Sequence, residues 1–422
     1  MRILYFALLY LSAPLVMIRL LWRSRNLPDY RRRWGERFGF YGAPPPAGGI
    51  WLHAVSVGEV QAAVPLLREL LQRHPDHSVL VTTTTPTGST RVRDLFGGKV
   101  HHVYLPYDLP DAVGRFLDWA RPSLGLVMET ELWPNLFRAC ARRGIPLLIA
   151  NARLSPRSFR GYRRLRRLVR ATLADVTRIA AQSETDAARF RALGADPERV
   201  VVTGSIKFDL RLPASLREQA EVLRRALGSH RAVWIAASTH EGEEEAILAA
   251  LDEVRDLASA LLILVPRHPD RFDRVAALCQ RRGLPVARRS RDGEVTAETR
   301  VYLGDTLGEL PLLYAAADVA FVGGSLVPVG GHNVLEPAAL GVPVLFGPYH
   351  FNFPEIAPML IEAGGAVEVA DARHLVAQVA DLLRDPNRAH QMGEAGLALV
   401  EANRGALGRL LEQIEEVMAV RQ

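Results

Sequence analysis

The sequence predicts an α/β protein of two open parallel-sheet domains. From Ile50 onward, short apolar runs alternate with stretches of helical period, the pattern of a parallel sheet covered on both faces. The alternation stops over Ser205–Gly228, which contains Pro213, and then resumes as a second series. The length of 422 residues suits two or three domains of roughly 150 residues each.

The chain opens with Ile3–Leu21, apolar apart from Arg19 near its end. At 1.5 Å per residue, roughly 19 residues reach about 28 Å, close to a bilayer's hydrocarbon core. Trp22, Arg23, Arg25, Tyr30 and Arg31–Arg33 follow, a flank suited to a membrane anchor with its body on the cytoplasmic side. A signal peptide would carry its charge before the apolar run and end in small residues. An amphipathic surface helix is the other alternative. Residues 1–25 are therefore expected to be an anchor, and residues 26–49 a basic, Pro/Gly-rich connection ending in GFYGAPPPAGG.

The first series has strands at Ile50–His53, Ser78–Thr83, Val100–Tyr104, Ser123–Met128, Pro146–Ala150, Ile179–Gln182 and Val200–Thr203. The helix Val60–Gln72 turns Leu67, Leu70 and Leu71 to one face. The second series has strands at Ala232–Ala237, Ala260–Pro266, Val301–Gly304, Val319–Gly323 and Val342–Phe346. Its helices cover Glu243–Leu257, Pro269–Arg282 and Leu307–Ala316, and the tail from Asp371 is helical. The expected domains are residues 50–210 and 229–400, with 211–228 as linker and 401–422 as a final helix. Ligands of open α/β sheets bind at the C-terminal strand ends, so two such domains would face one another across a cleft.

Apolar residues make up 49% and charged residues 23%, as in a globular protein with a full core. The net charge of +6 is carried almost wholly by arginine and fits nucleic acid, an anionic membrane or phosphorylated substrates. Cys140 and Cys279 are the only cysteines, which gives no disulfide framework and no zinc spacing. A reducing compartment is therefore expected.

Polar residues gather at the expected strand ends. His53-Ala-Val-Ser56-Val-Gly58-Glu59 opens a helix, and Glu59 could serve as a general base toward a hydroxyl. Ser56 and Glu59 equally fit a capping box. Glu129-Thr-Glu131-Leu-Trp133-Pro-Asn135 could bind a metal or hydroxyls, or supply ordinary first-turn residues. Asn151-Ala-Arg153-Leu-Ser155 adds to that face. The stretch Arg157–Arg178 is basic and amphipathic, suited to an anionic membrane or a phosphorylated lipid, or simply a solvated face. Lys207 sits in Thr203-Gly-Ser205-Ile-Lys207-Phe-Asp209.

In the second series, Ser238 and Thr239 end one strand, Arg267 and His268 the next, and Asp305-Thr306 a third. Arg267 offers a planar fork for carboxylate or phosphate. Phe321–Pro348 reads as strand, glycine-rich loop, helix and strand. Gly323, Gly324, Gly330 and Gly331 free the backbone for close approach, and Asn333 suits a helix start. The loop reads as a phosphate cradle with Glu336 available for sugar hydroxyls, or as a structural turn. Dinucleotide, P-loop and Ser/His/Asp elbow motifs are missing, as is an Asp-x-Asp metal pair.

Tyr30-Arg-Arg-Arg-Trp34-Gly-Glu-Arg37, HAVSVGE, ETELWPN, NARLS, GSIKFD, ASTHEGEE, PRHP and GGHNVLEP occur in this order along nearly the whole chain. In this the sequence resembles the 3-deoxy-D-manno-octulosonic acid (Kdo) transferases of lipopolysaccharide synthesis. The resemblance implies a GT-B fold: two Rossmann-like domains with a cleft between them, here preceded by the membrane-anchor helix, the C-terminal helix packing back on the N-terminal domain. It implies CMP-Kdo as donor and a lipid A precursor, lipid IV(A), as acceptor at the cytoplasmic face of the inner membrane. No cofactor, metal or nucleic acid is implied. By matching motifs, Glu59 is the expected catalytic base. Arg267, His268, Gly331, His332, Asn333 and Glu336, with Ser238 and Thr239, are expected to bind CMP-Kdo, and Glu129 and Lys207 also match. Direct attack by the acceptor hydroxyl would invert the anomeric centre. The rival readings are another GT-B protein acting on a UDP-sugar and a membrane-tethered protein that binds nucleic acid or anionic lipid.

Overall fold

The computed structural model describes residues 2–25, 28–210, 212–251, 254, 257, 259–291 and 295–419. The chain forms two compact units, Met1–Asp209 with Arg404–Gln422, and Leu210–Asn403.

The first unit holds strands β1 (Ile50–His53), β2 (Val79–Thr83), β3 (His101–Tyr104), β4 (Leu124–Met128), β5 (Leu147–Ala152), β6 (Arg178–Ala181) and β7 (Val200–Val202). They form one sheet in the order β3-β2-β1-β4-β5-β6-β7, and every pair is parallel. Strand side chains alternate between the two faces. Ile50 and Leu52 enter one buried cluster with Leu66, Leu67 and Leu70, whereas Trp51 enters another with Phe116, Phe137 and Phe190. Strand order reverses between β1 and β4, so the C-terminal ends near that switch are the expected ligand edge.

The last helix, Ala406–Ala419, belongs to this unit; residues 420–422 of the expected 401–422 helix lie outside the described residues. Its period puts Leu407, Leu410, Leu411, Ile414 and Val417 into the cluster of Ile50 and Leu52. Each such side chain contributes about 1.5–3 kcal/mol when buried. Asp209 anchors the return, its two carboxylate oxygens accepting from the backbone N–H groups of Gly405 and Leu407, each at 2.6 Å.

The second unit holds β8 (Val233–Thr239), β9 (Leu261–Pro266), β10 (Val286–Arg288), β11 (Val301–Leu303), β12 (Val319–Val322), β13 (Val344–Phe346) and β14 (Ala366–Glu368). Their order is β10-β11-β9-β8-β12-β13-β14, again wholly parallel. The two α/β domains expected from the alternation are present. Edge strands β10 and β14 escape the sequence reading because each has only two apolar residues before a charged one, so neither shows an apolar run. Within the expected linker, Leu216–Leu227 forms a helix that buries Leu216, Ala220, Leu223 and Leu227. The helix expected over Glu243–Leu257 is seen over Glu243–Leu251, and residues 252–253 and 255–256 lie outside the described residues.

The N-terminal expectation needs correction. Arg2–Arg23 is a helix, but among the described residues no helix is long and apolar enough to cross a membrane. The segment is not apolar all round. Tyr5 donates its hydroxyl proton to Asp108 (2.9 Å) and Tyr10 to Asp111 (2.8 Å), while Leu20 and Ser24 are buried. This face is spent on the domain. Leu11, Leu15, Ile18 and Trp22, spaced by three or four residues, are exposed on the helix.

Candidate active site

In the first unit, β1 ends at His53 and the helix Val57–Arg73 begins four residues later. Ser56 is its N-cap and accepts from the Glu59 N–H at 3.5 Å. Glu59 reaches back, one carboxylate oxygen accepting from the Val55 N–H at 2.7 Å. The capping geometry is thus real, and it orients the carboxylate. Burial, helped by the nearby charges of Glu129 and Glu131 and opposed by Val55 and Lys207, pushes Glu59 up to about 8. A carboxylate at that value is strong enough to accept a hydroxyl proton near neutral pH.

Three strand ends supply this neighbourhood. Glu129 follows β4 with φ of 55°, a left-handed conformation that a side chain rarely adopts. Lys207 lies in the turn Ile206–Phe208 after β7, its Nζ 3.6 Å from Glu129 Oε1. Glu131 is pushed up by burial and by Glu129. Asn151, at the end of β5, also has positive φ (53°) and is fully buried. Its Oδ1 accepts from the Ile206 N–H at 3.2 Å, holding the turn that carries Lys207. Asn151 Nδ2 and His53 Nε2 are buried without a hydrogen-bond partner. Burial pushes His53 down to about 3, so its ring is neutral, and Nδ1–H faces the Thr82 carbonyl at 3.1 Å. Ser155 and Asn135 are structural: Ser155 caps the helix Pro156–Arg164, and Asn135 is held by Asp108.

In the second unit, Ser238 ends β8 with φ of 54°. Thr239 is fully buried, and its hydroxyl donates to Glu244 at 2.8 Å, so its side chain is spent inside the protein. Arg271 grips the same Glu244 through two hydrogen bonds. Asp305 is likewise occupied by Arg288 and Ser290, and Thr306 by Glu309. Arg267 and His268 are exposed, and among the described residues the Arg267 guanidinium has no ion-pair partner.

The glycine-rich loop departs from the phosphate-cradle expectation. Its N–H groups at Gly324, Ser325 and Leu326 point at a protein carboxylate, that of Glu243, at 2.7–3.0 Å. A fourth bond comes from the His240 N–H at 2.9 Å. Gly330 and Gly331 N–H donate to the Gly324 carbonyl. These amides are filled by the chain itself, and the loop leads into His332 and Asn333. His332 is held with its Nε2 2.8 Å from His240 Nε2. The N-cap of the short helix Leu335–Ala338 is Val334, not Asn333; Asn333 accepts from the Leu335 N–H at 3.1 Å and donates to Glu336 at 3.0 Å. Burial pushes Glu336 up, with Asn333 and the Arg267 charge opposing. His332 is pushed down to about 4 by burial and by the charges of His240, Arg267 and His268.

Arg267 therefore acts electrostatically on both His332 and Glu336, and His268 on His332. Sequence reasoning missed the parts played by His240, Glu243 and Asn151. Each stood in a quoted motif, but its partner lies 55 to 92 residues away, beyond any local pattern. Among the described residues no group of three or more His, Cys, Asp or Glu is placed to hold a metal ion.

A family model described as 3-deoxy-D-manno-octulosonic-acid transferase (kdotransferase) matches residues 32–210, and one described as glycosyl transferases group 1 matches residues 287–398. A 3-deoxy-D-manno-octulosonic acid transferase of Haemophilus influenzae is 45% identical over 421 residues, covering 98% of each chain. One of Bordetella pertussis is 41% identical over 421 residues, covering 96% of each. Among solved structures, a glycosyltransferase from Rickettsia africae superposes with a TM-score of 0.55 at 13% identity, over 90% of this chain and 100% of its own. UDP-GlcNAc 2-epimerase from Neisseria meningitidis gives 0.55 at 14% identity, over 88% and 99%. At such identities these two speak for the fold alone.

Proposed function

We infer the reaction from one premise: the chain belongs to the Kdo transferase family and is a glycosyltransferase of lipopolysaccharide biosynthesis. We propose that it moves Kdo from CMP-Kdo to a hydroxyl of a lipid A precursor, lipid IV(A), with inversion at the anomeric carbon. The observation that carries this reading is Glu59, a carboxylate raised to about 8 by burial and oriented by the Val55 N–H. Glu59 takes the proton of the acceptor hydroxyl as its oxygen attacks the anomeric carbon of Kdo. The bond from that carbon to the phosphate oxygen breaks, and the electron pair leaves with CMP. Charge grows on the phosphate, where preorganised cationic and N–H donors lower the barrier. Arg267, His268 and His332 are the donors we assign, with Ser238, Gly331, Asn333 and Glu336 shaping the site. The Lys207–Glu129 pair we assign to the first unit's substrate face.

We further propose that the protein works at the cytoplasmic face of the inner membrane as a surface-attached enzyme. Supporting this are the exposed Leu11, Leu15, Ile18 and Trp22 on the N-terminal helix. Arg157, Arg160, Arg163, Arg164, Arg166 and Arg167 are also exposed and suited to anionic headgroups.

The test is incubation of the purified protein with CMP-Kdo and tetraacyl lipid A precursor, products weighed by mass spectrometry. Addition of one or more Kdo masses with CMP release is the expected result. Transfer from a UDP-sugar instead, with none from CMP-Kdo, would overturn the reading.

A further inference from the structure

The histidine pair in the second unit is built rather than incidental. The His240 and His332 rings are parallel within 3°, with centroids 5.1 Å apart and Nε2 atoms 2.8 Å apart. A centroid separation nearly twice the nitrogen gap means that the rings lie in one plane and meet tip to tip. That is the geometry of an N–H···N hydrogen bond, not of face stacking. Two neighbouring features maintain it. Gly324 has φ of 67°, and a Cβ there would lie 3.0 Å from the His332 ring and 3.3 Å from the His240 ring. One oxygen of Glu243 accepts from both the His240 and the Gly324 N–H, so a single buried atom sets both sides of the contact.

We propose that His240 is a positioning residue of the donor site: it donates Nε2–H to His332 Nε2, fixing His332 as the Nδ1–H tautomer that offers a proton to an anionic ligand. This rests on the reading of the donor as a nucleotide-linked acidic sugar. The contact holds one proton, and it has two possible owners. If His332 owned it, His332 Nδ1 would present a lone pair to the anion, and the two would repel. With His240 as owner, His332 presents N–H. The charged groups around the pair agree. His268 stands edge-on to His240 with centroids 5.3 Å apart, Arg267 acts on both rings, and Arg271 acts on His240. Arg271 is paired with Glu244, while the Glu243 carboxylate is saturated by backbone N–H groups. Burial, with these cations beside it, disfavours a charge on either ring, so on this proposal a fixed tautomer, not an imidazolium, provides the hydrogen bond.

The experiment uses the full chain labelled with 15N-histidine. Ring nitrogen shifts should report His332 as the Nδ1–H tautomer in the wild type, and as Nε2–H, the form favoured in water, in His240→Ala. By calorimetry with CMP, His240→Ala should bind about tenfold more weakly. His240→Gln, whose amide N–H can replace the donor, should recover most of that loss. An unchanged His332 tautomer or unchanged CMP affinity in His240→Ala would overturn the proposal. So would equal losses in the Ala and Gln variants, which would mark His240 as packing alone. A wild type that does not bind CMP would instead sink the donor reading, a distinguishable outcome.

Discussion

Lys207 and Glu129 stand 3.6 Å apart, nitrogen to oxygen, and join two turns that are 78 residues apart in the chain. Beyond burial, the charges of Glu129 and Glu131 push Glu59 up and that of Lys207 opposes them, while Glu129 also pushes Glu131 up. Substituting either partner should therefore move Glu59 in opposite directions. Lys207→Met should push the Glu59 pKa higher and shift the rising limb of the pH–rate profile to higher pH. Glu129→Gln should shift it lower. The two profiles measured side by side check the pairing, and shifts of the same sign would refute it.

Glu59 itself should impose a pH dependence on transfer. Only its deprotonated form accepts a proton, so kcat/KM should rise about tenfold per pH unit and level off above about 8. Glu59→Gln should cut turnover by roughly 100-fold or more while leaving CMP-Kdo binding in place. A residue that only capped its helix would leave turnover largely intact.

The same shift predicts a stability effect. The folded chain holds a proton on Glu59 between about 4.5 and about 8 that the unfolded chain has released, so this group's contribution weakens as pH rises through that window. Glu59→Gln should melt at a higher temperature than wild type at pH 8, with the gap closing toward pH 4.5. Thermal scans across the window give the result directly.

Glu243 should matter for the loop more than for the overall charge. Glu243→Ala would strip four backbone N–H groups of their acceptor. Leaving buried donors unpaired costs about 1–3 kcal/mol each before relaxation. Urea unfolding should show a loss of several kcal/mol, and donor affinity should fall because Gly331 and His332 move with the freed segment. Wild-type stability would mean that the loop is held by something else.

Attachment to membranes should depend on the exposed side of the N-terminal helix. Leu15→Asp combined with Trp22→Ser should release the protein from vesicles rich in anionic lipid without lowering its melting temperature, since both side chains are exposed. Undiminished binding would assign attachment to the arginines between Arg157 and Arg170.

The fold class was legible in residue order alone, because parallel strands buried on both faces must be written as short apolar runs, as in Ile50–His53 and Val319–Val322. Residue order determined the family too, as the 45% identity to a Kdo transferase over 98% of each chain bears out. Tertiary structure decided what each polar residue does, because hydrogen bonds and burial join positions that no local pattern connects. Thr239 has the look of a ligand residue and is spent on Glu244, whereas Glu243, unassigned in sequence, fills the amides that a glycine-rich loop would otherwise offer to phosphate. The N-terminal apolar run reads as a spanning segment by length alone. Its tyrosines hydrogen-bond Asp108 and Asp111, 103 and 101 residues further along the chain, a pairing that no local pattern reveals.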